Sequence, residues 1–118
     1  MVGPALREVL VRGEGSGECQ GPGAANGRAE HAVCGDRVQL SVRTRDGRIV
    51  ELRWQASGCP ASMAVAALAA KVLPGVEVEK GPAVLRAALA AHGGLLTAER
   101  HAETLTLRAL AQATGTPA

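Results

Sequence analysis

Aromatic residues are almost absent from this 118-residue chain, which contains no Phe, no Tyr and one Trp, Trp54. Proteins that bind single strands without sequence preference stack the bases on aromatic side chains, and this chain lacks that surface. The formal net charge is only +2 and the basic residues are scattered, which argues against an electrostatic footprint for DNA. We therefore expect no nucleic-acid partner and a core built from Ala, Leu and Val.

Long apolar runs are missing as well, and cysteine is scarce. No run of residues is long and apolar enough to cross a bilayer, and Arg7 and Glu8 interrupt the first ten positions. We expect a cytoplasmic protein with no signal peptide and no membrane partner. Three cysteines, an odd number, in a reducing compartment indicate metal ligands or reactive thiols before they indicate a disulfide framework.

Two runs of alternating apolar and polar residues predict a β-hairpin over about residues 37–57. The turn between them contains Asp46-Gly47, a common hairpin signal. A two-residue turn centred on Asp46-Gly47 would oppose Leu40 to Arg53 and mix the two faces, whereas a three-residue loop opposes Leu40 to Trp54, so we predict the three-residue loop. The apolar positions expected on the shared inner face are Val38, Leu40, Val42, Val50, Leu52, Trp54 and Ala56.

The rest of the chain reads mainly as helix. The fold class predicted is α+β: a small antiparallel sheet with helices packed on one face. Residues 1–28 are expected to form a flexible, Gly-rich lead-in, and residues 29–114 the folded domain. The individual predictions are a short helix over Pro4–Arg12, an edge strand from about Ala29 into Cys34, and helices over Ala61–Leu73, Glu79–Ala91 and Thr97 to about Ala113.

The predicted hairpin places two of the three thiols at one end of the sheet. Cys34 and Cys59 fall within one position of facing each other. The Cα atoms of directly paired residues are about 5 Å apart, so the Cα atoms of the two cysteines are expected to lie a few Å apart. Asp36 lies two residues beyond Cys34, so in an extended segment both side chains project to one face. Its carboxylate is a candidate third ligand, or a group that keeps a bound cluster exchangeable. Cys59 also sits where a helix N-terminus stabilises a thiolate.

These motifs resemble a known family, the U-type iron–sulfur scaffold proteins of the IscU, NifU N-terminal and SufU group. The resemblance covers roughly Gly21 to Ala113 and is most specific between the two cysteine motifs. The matching segments are Ala25-Asn26-Gly27, Cys34-Gly35-Asp36, Val38–Val42, Asp46-Gly47, Ile49-Val50, Trp54 where a Phe is usual, Gly58-Cys59 with the helix that follows, and Arg100-His101-Ala102.

The resemblance implies a function and a set of partners. Members of the family are small α+β proteins, carriers rather than enzymes, on which a [2Fe–2S] cluster is assembled and then passed to apo iron–sulfur acceptor proteins. A cysteine desulfurase delivers the sulfur, and many members also bind zinc in the cluster site. The resemblance thus implies iron or a [2Fe–2S] cluster as cargo, zinc as an alternative occupant, and a monomer or weak homodimer.

The ligand set implied by the resemblance differs from the usual one. The family's third cysteine corresponds to Ala102, which can neither bind metal nor accept sulfur. His101 corresponds to a family histidine near the metal, and imidazole suits both iron and zinc. The implied ligands are Cys34, Asp36, Cys59 and His101. Cys19 is a less favoured substitute, because a flexible segment loses chain entropy when it holds a ligand.

Other interpretations remain open at this point. The protein could instead be a zinc-bound sulfur-transfer protein that accepts a persulfide, or a degenerate paralogue that keeps the fold without a cluster. The cysteines could be small buried apolar residues, Asp36 a turn cap and His101 an exposed residue of the first helical turn. The residues expected to stay outside any site are Cys19, as an unengaged loop thiol, and His31 and His92, as solvated side chains.

Overall fold

A computed structural model describes residues 3–33 and 35–115 of the chain. These residues form a three-stranded antiparallel sheet, in the order β1-β2-β3, together with four α-helices, so the predicted α+β class is confirmed. The elements are α1 Pro4–Arg12, β1 Ala24–Glu30, β2 Arg37–Arg45, β3 Arg48–Ser57, α2 Pro60–Val72, α3 Gly81–Ala91 and α4 Arg100–Thr114, with 3₁₀ turns at Val78–Lys80 and Thr97–Glu99.

The predicted pairing of β2 with β3 is confirmed. Leu40 faces Trp54, and the neighbouring pairs on the same face are Val38 with Ala56 and Val42 with Leu52. Apart from Ala56, which is half-buried, these side chains are buried, because they point toward the helices. Pairing apolar residue against apolar residue was therefore enough to predict the register.

The predicted three-residue loop is wrong. The turn has two residues, Asp46 and Gly47, with φ angles of 53° and 76°, the left-handed values of a type I′ hairpin turn. A β-bulge in β3 shifts the pairing by one residue, as the longer loop would have done. The extra residue is Val50, which lies between the partners of Arg43 and Thr44. The bulge turns Ile49 into the core and leaves Val50 38% exposed, so Val50 is not an inner-face residue.

The edge strand lies earlier than predicted. It runs over Ala24–Glu30, so five residues of the expected lead-in belong to the sheet. The strand lacks apolar alternation because its buried position is a glycine: a Cβ on Gly27 would collide with the carbonyl oxygen of Ala109 in α4. Here the backbones of the strand and the helix approach each other directly, without an apolar side chain between them. A search for alternating apolar residues therefore does not detect this strand. The last position of the predicted strand, Cys34, is outside the described residues.

The segment before β1 also contacts the sheet. The Trp54 backbone N–H donates to the carbonyl of Gly15, and the Gly17 N–H donates to the carbonyl of Trp54, both at 2.9 Å. The Trp54 indole Nε1–H donates to the carbonyl of Glu14, also at 2.9 Å. The segment thus lies along the free edge of β3 in this structure. That residues 1–28 form a flexible unit apart from the domain remains a prediction.

The helices lie where they were predicted, within two or three residues. Helices α2 and α4 pack against one face of the sheet, and α1 and α3 pack against α2. Most of α2 is buried, from Ala61 to Ala69 apart from Met63, so this helix forms the centre of the core. Within the described ranges, no helix is long and apolar enough to cross a membrane. The packing brings the N-terminal ends of α2 and α4 to the end of the sheet where β2 begins.

Candidate metal centre

Three elements bring three potential ligands together at this end of the sheet. Asp36 directly precedes β2, Cys59 is the N-cap residue of α2, and His101 lies in the first turn of α4. One ligand atom from each side chain lies within 4.8 Å of the other two. Residues that are 65 positions apart in the chain therefore form one cluster of oxygen, sulfur and nitrogen atoms.

Asp36 is the organising residue of the cluster, and it is only 3% exposed. Its Oδ1 accepts the Cys59 backbone N–H at 3.1 Å, and its Oδ2 accepts the Ser62 hydroxyl at 3.2 Å. The same Oδ2 lies 2.8 Å from Nε2 of His101. Burial alone would raise the pKa of this carboxyl, but the hydrogen bonds from Cys59, His101 and Ser62 outweigh it and hold the pKa below its usual value. Asp36 is thus an ionised, fixed anion.

The backbone at Gly58 makes this arrangement possible. Gly58 has a φ of 110°, a conformation that residues with a side chain rarely adopt. A Cβ at this position would also collide with the Asp36 carboxylate. The glycine before Cys59 thus lets the end of β3 turn into α2 directly against the acidic side chain.

Cys59 and His101 provide the sulfur and nitrogen atoms. The Cys59 Sγ lies 3.5 Å from the His101 Nε2 and 3.7 Å from the Ser62 hydroxyl. Around a tetrahedral zinc ion, a thiolate and an imidazole nitrogen are about 3.6 Å apart. A carboxylate oxygen and an imidazole nitrogen would be about 3.4 Å apart, so an ion would replace the shorter hydrogen bond between His101 and Asp36. The donor set suits zinc and ferrous iron alike.

The structure brings together Asp36, Cys59 and His101, three of the four residues that the resemblance implied as ligands, while Cys34 lies outside the described residues. Ala102 is fully buried in the core directly after His101. Of the three potential ligands that the described residues gather at this end of the sheet, one is a thiol.

Cys19 is neither a loop thiol without contacts nor a neighbour of the cluster. It is 7% exposed, its N–H donates to the Ser41 Oγ at 2.8 Å, and its thiol donates to the Ser41 carbonyl at 3.2 Å. Ser41 points away from the helices and lies about 13 Å along β2 from Arg37. Burial raises the pKa of the Cys19 thiol, and the hydrogen bond with Ser41 only partly offsets this. The thiol is buried on the opposite face of the sheet.

Sequence reasoning did not place two residues, Ser62 and His31, at the site. Ser62 is fully buried and touches both Asp36 and Cys59; its position three residues after Cys59, in the first helical turn, was the available signal. His31 was expected to be solvated but is half-buried, with its ring centroid 5.0 Å from that of His101. Nothing in the local pattern around His31 indicated this, because a turn rather than a strand positions it.

These features define the class of this protein: a small α+β domain that gathers a carboxylate before β2, a thiol at the start of α2 and an imidazole at the start of α4. The sequence model of the NifU-like N-terminal domain matches residues 12–116. The chain belongs to this family.

Relatives of known name agree with the assignment. The chain is 34% identical over 114 residues to the bifunctional protein NifU/MnmA of Rubrobacter xylanophilus, covering 94% of this chain and 23% of that protein. It is 32% identical over 88 residues to the iron–sulfur cluster assembly scaffold protein IscU 1 of Archaeoglobus fulgidus, covering 74% of this chain and 58% of that protein. The chain thus spans less than two thirds of the length of either relative.

Solved structures share the fold. The N-terminal part of a NifU-like protein from Brucella abortus superposes with a TM-score of 0.74 at 20% identity, covering 96% of this chain and 91% of that one. A candidate iron–sulfur cluster assembly scaffold of the SUF system from Fervidobacterium islandicum gives a TM-score of 0.64 at 14% identity, covering 97% and 94%. At these identities the likeness concerns the fold alone.

Proposed function

We propose that the protein is an iron–sulfur cluster assembly scaffold and carrier. It binds iron or a [2Fe–2S] cluster through Cys34, Asp36, Cys59 and His101, and it passes the cargo to apo acceptor proteins. The observation that carries the proposal is the convergence of Asp36, Cys59 and His101 at one point in a member of the NifU-like N-terminal family. The protein acts by holding and releasing its cargo, and it is not an enzyme.

Each residue has a distinct task in this proposal. Cys59 binds as a thiolate, the form of cysteine that holds a metal, from the N-cap position of α2. His101 binds through Nε2, which already faces both Asp36 and Cys59. Asp36 keeps the Cys59 backbone and Ser62 in place before the cargo arrives and contributes an oxygen once it is bound. Cys34 supplies the second thiolate.

The partners follow from the chemistry of the cargo. Each sulfide of the cluster needs a sulfur donor and two electrons, and we propose a cysteine desulfurase as the donor of persulfide sulfur and a thiol as the reductant. The family assignment and the names of two relatives, an IscU scaffold and a NifU fusion, support this choice. Apo iron–sulfur proteins are the acceptors. The cytoplasmic location and the monomer or weak dimer remain predictions.

A zinc-bound protein is the second candidate function. The 3.5 Å separation of the Cys59 sulfur and the His101 nitrogen is close to the value expected around tetrahedral zinc. A zinc-bound form would orient a thiol that accepts persulfide sulfur. Ala102 stands at the position to which the resemblance assigns a further cysteine, and an alanine offers no acceptor sulfur, so we rank this function below the scaffold.

The test is iron and sulfide retention in a set of cysteine variants. Apo protein is incubated without oxygen with ferrous iron, cysteine and a cysteine desulfurase, desalted, and assayed for iron and sulfide. Cys59→Ala and Cys34→Ala are expected to lose nearly all of the retained iron, because each removes a thiolate ligand. Cys19→Ala is the matched control: its thiol is buried on the other face of the sheet, and the variant is expected to retain iron at the wild-type level.

Circular dichroism of each apo variant separates ligand loss from unfolding. If folded Cys19→Ala loses as much iron as Cys59→Ala, the proposed ligand set is wrong. If wild-type protein retains zinc but no iron under the same conditions, the zinc-bound function replaces the scaffold.

A further inference from the structure

His31 lies beside the cluster although it is not one of its three members. Its ring centroid is 5.0 Å from that of His101, with a tilt of 52° between the ring planes. The His31 N–H donates to the Asp36 carbonyl at 2.8 Å, and the Gly35 N–H donates to the His31 carbonyl at 2.7 Å. These two bonds anchor the backbone of His31 to the backbones of Gly35 and Asp36. The imidazole is thus held at the site and is half-buried there.

The separation of the two rings matches a pair of imidazoles on one metal ion. With a metal–nitrogen distance of about 2.0–2.1 Å and a tetrahedral angle, the centroids of two such rings lie about 5 Å apart. Two aromatic rings that contact only each other usually lie offset and parallel, or edge to face. A tilt of 52° corresponds to neither arrangement. The ring centroids are therefore a suitable distance apart for a shared ion, but no nitrogen of His31 lies within 4.8 Å of all three clustered ligand atoms, so the ring has to rotate to reach the ion.

A further imidazole would take the place of one of the ligands proposed above. Zinc in closed protein sites takes four ligands, and Cys34, Asp36, Cys59 and His101 already make four. Both oxygens of Asp36 already accept hydrogen bonds from the protein, so the carboxylate is the ligand most easily replaced. A pair of histidines on one iron of a [2Fe–2S] cluster is established chemistry for protein sites.

We propose that His31 is a metal ligand of this site, so that the bound ion is held by two imidazoles, those of His31 and His101. The ring reaches the ion by rotating about its side-chain bonds, while its backbone remains fixed to Asp36 and Gly35. This inference rests on the proposed function, because it needs a metal or cluster in the site. It adds a ligand in a turn that belongs to neither helix.

The test uses zinc alone as the probe, on the full chain stripped of metal and kept reduced. Zinc affinity is measured by competition with a chromophoric chelator, and X-ray absorption counts the imidazoles on the bound ion. Wild-type protein is expected to show two imidazoles per zinc. His31→Ala is expected to show one, with an affinity lower by at least about tenfold, because loss of groups that merely support a ligand already costs that much.

His92→Ala is the matched control. His92 is also half-buried, but it ends α3, where its Nδ1 lies 2.8 Å from the Ala88 carbonyl. This variant is expected to keep both the affinity and the imidazole count of the wild type. Thermal unfolding of the metal-free variants shows whether His31→Ala folds, and His31→Gln replaces it if it does not.

The outcomes separate the two proposals. Two imidazoles in the wild type and one in the His31 variant, at reduced affinity, support the inference. Unchanged affinity and count in the His31 variant, in a protein whose Cys59→Ala form loses zinc, overturn the inference and leave the metal site intact. A wild-type protein that binds neither zinc nor iron overturns both.

Discussion

At the residue scale, Asp36 is the side chain on which the site depends most. It is buried, it accepts hydrogen bonds from the Cys59 backbone and from Ser62, and it contacts His101. Its type and its place after a cysteine could be read from the sequence. Its burial could not, because the covering residues come from α2 and α4, far along the chain. The contacts of Ser62 and His31 were missed because their partners, Asp36 and His101, lie far from them along the chain.

The lowered pKa of Asp36 predicts a pH dependence of stability. Because the pKa of the folded state lies below that of the unfolded state, about 3.9, ionised Asp36 favours folding above that value, and the gain disappears as the pH falls through the folded-state pKa. In metal-free protein, Asp36→Asn is expected to lower the free energy of unfolding by about 1–3 kcal/mol at neutral pH, since an amide cannot accept all the hydrogen bonds that the buried carboxylate accepts. The cost should shrink below about pH 4.

Urea unfolding of both proteins from neutral to acid pH checks this expectation. Asp46→Asn is the matched control, because it changes the same residue type at an exposed turn position where Asn is well tolerated. That variant should stay within about 0.5 kcal/mol of the wild type. A cost of Asp36→Asn that grows toward acid pH would contradict the assigned role of the carboxylate.

At the scale of elements, the hairpin could be predicted and the strand beside it could not. β2 and β3 alternate apolar and polar residues, so only one register buries a continuous face. β1 has no such signal, because its contact with α4 is made at Gly27 by the backbone. The bulge at Val50 was also missed, since the same register can be reached by a longer loop or by one extra residue in the strand.

The close approach at Gly27 predicts a large effect from one methyl group. Gly27→Ala would place a Cβ against the α4 backbone at Ala109 and Ala113, neither of which can move without displacing the helix. We expect a loss of about 3 kcal/mol in the free energy of unfolding, as for overpacking of a rigid contact. Because α4 carries His101, zinc affinity should fall as well.

Gly3→Ala is the control for that change. Gly3 has a φ of −65° and nothing within 4 Å of the position of an added Cβ, so its substitution should cost less than about 1 kcal/mol. Denaturant unfolding of the three proteins provides the comparison. Equal effects at Gly3 and Gly27 would mean that β1 and α4 do not pack as closely as described.

At the scale of the whole molecule, the site is built from the start of β2, the start of α2 and the start of α4. The sheet fixes the first two relative to each other, because β3 leads directly from the hairpin into α2. The third depends on how α4 packs, which no local pattern specifies. The sequence therefore indicated Asp36 beside Cys59 from geometry, whereas His101 could be predicted only by resemblance to a family.

The most direct test of the scaffold proposal is the iron and sulfide content of the wild-type protein. It is measured together with the visible absorption spectrum after anaerobic incubation with ferrous iron, cysteine and a cysteine desulfurase. The account predicts charge-transfer bands and about two iron and two sulfide per site, as for a [2Fe–2S] cluster. Folded protein that holds neither iron nor sulfide after this treatment would contradict it.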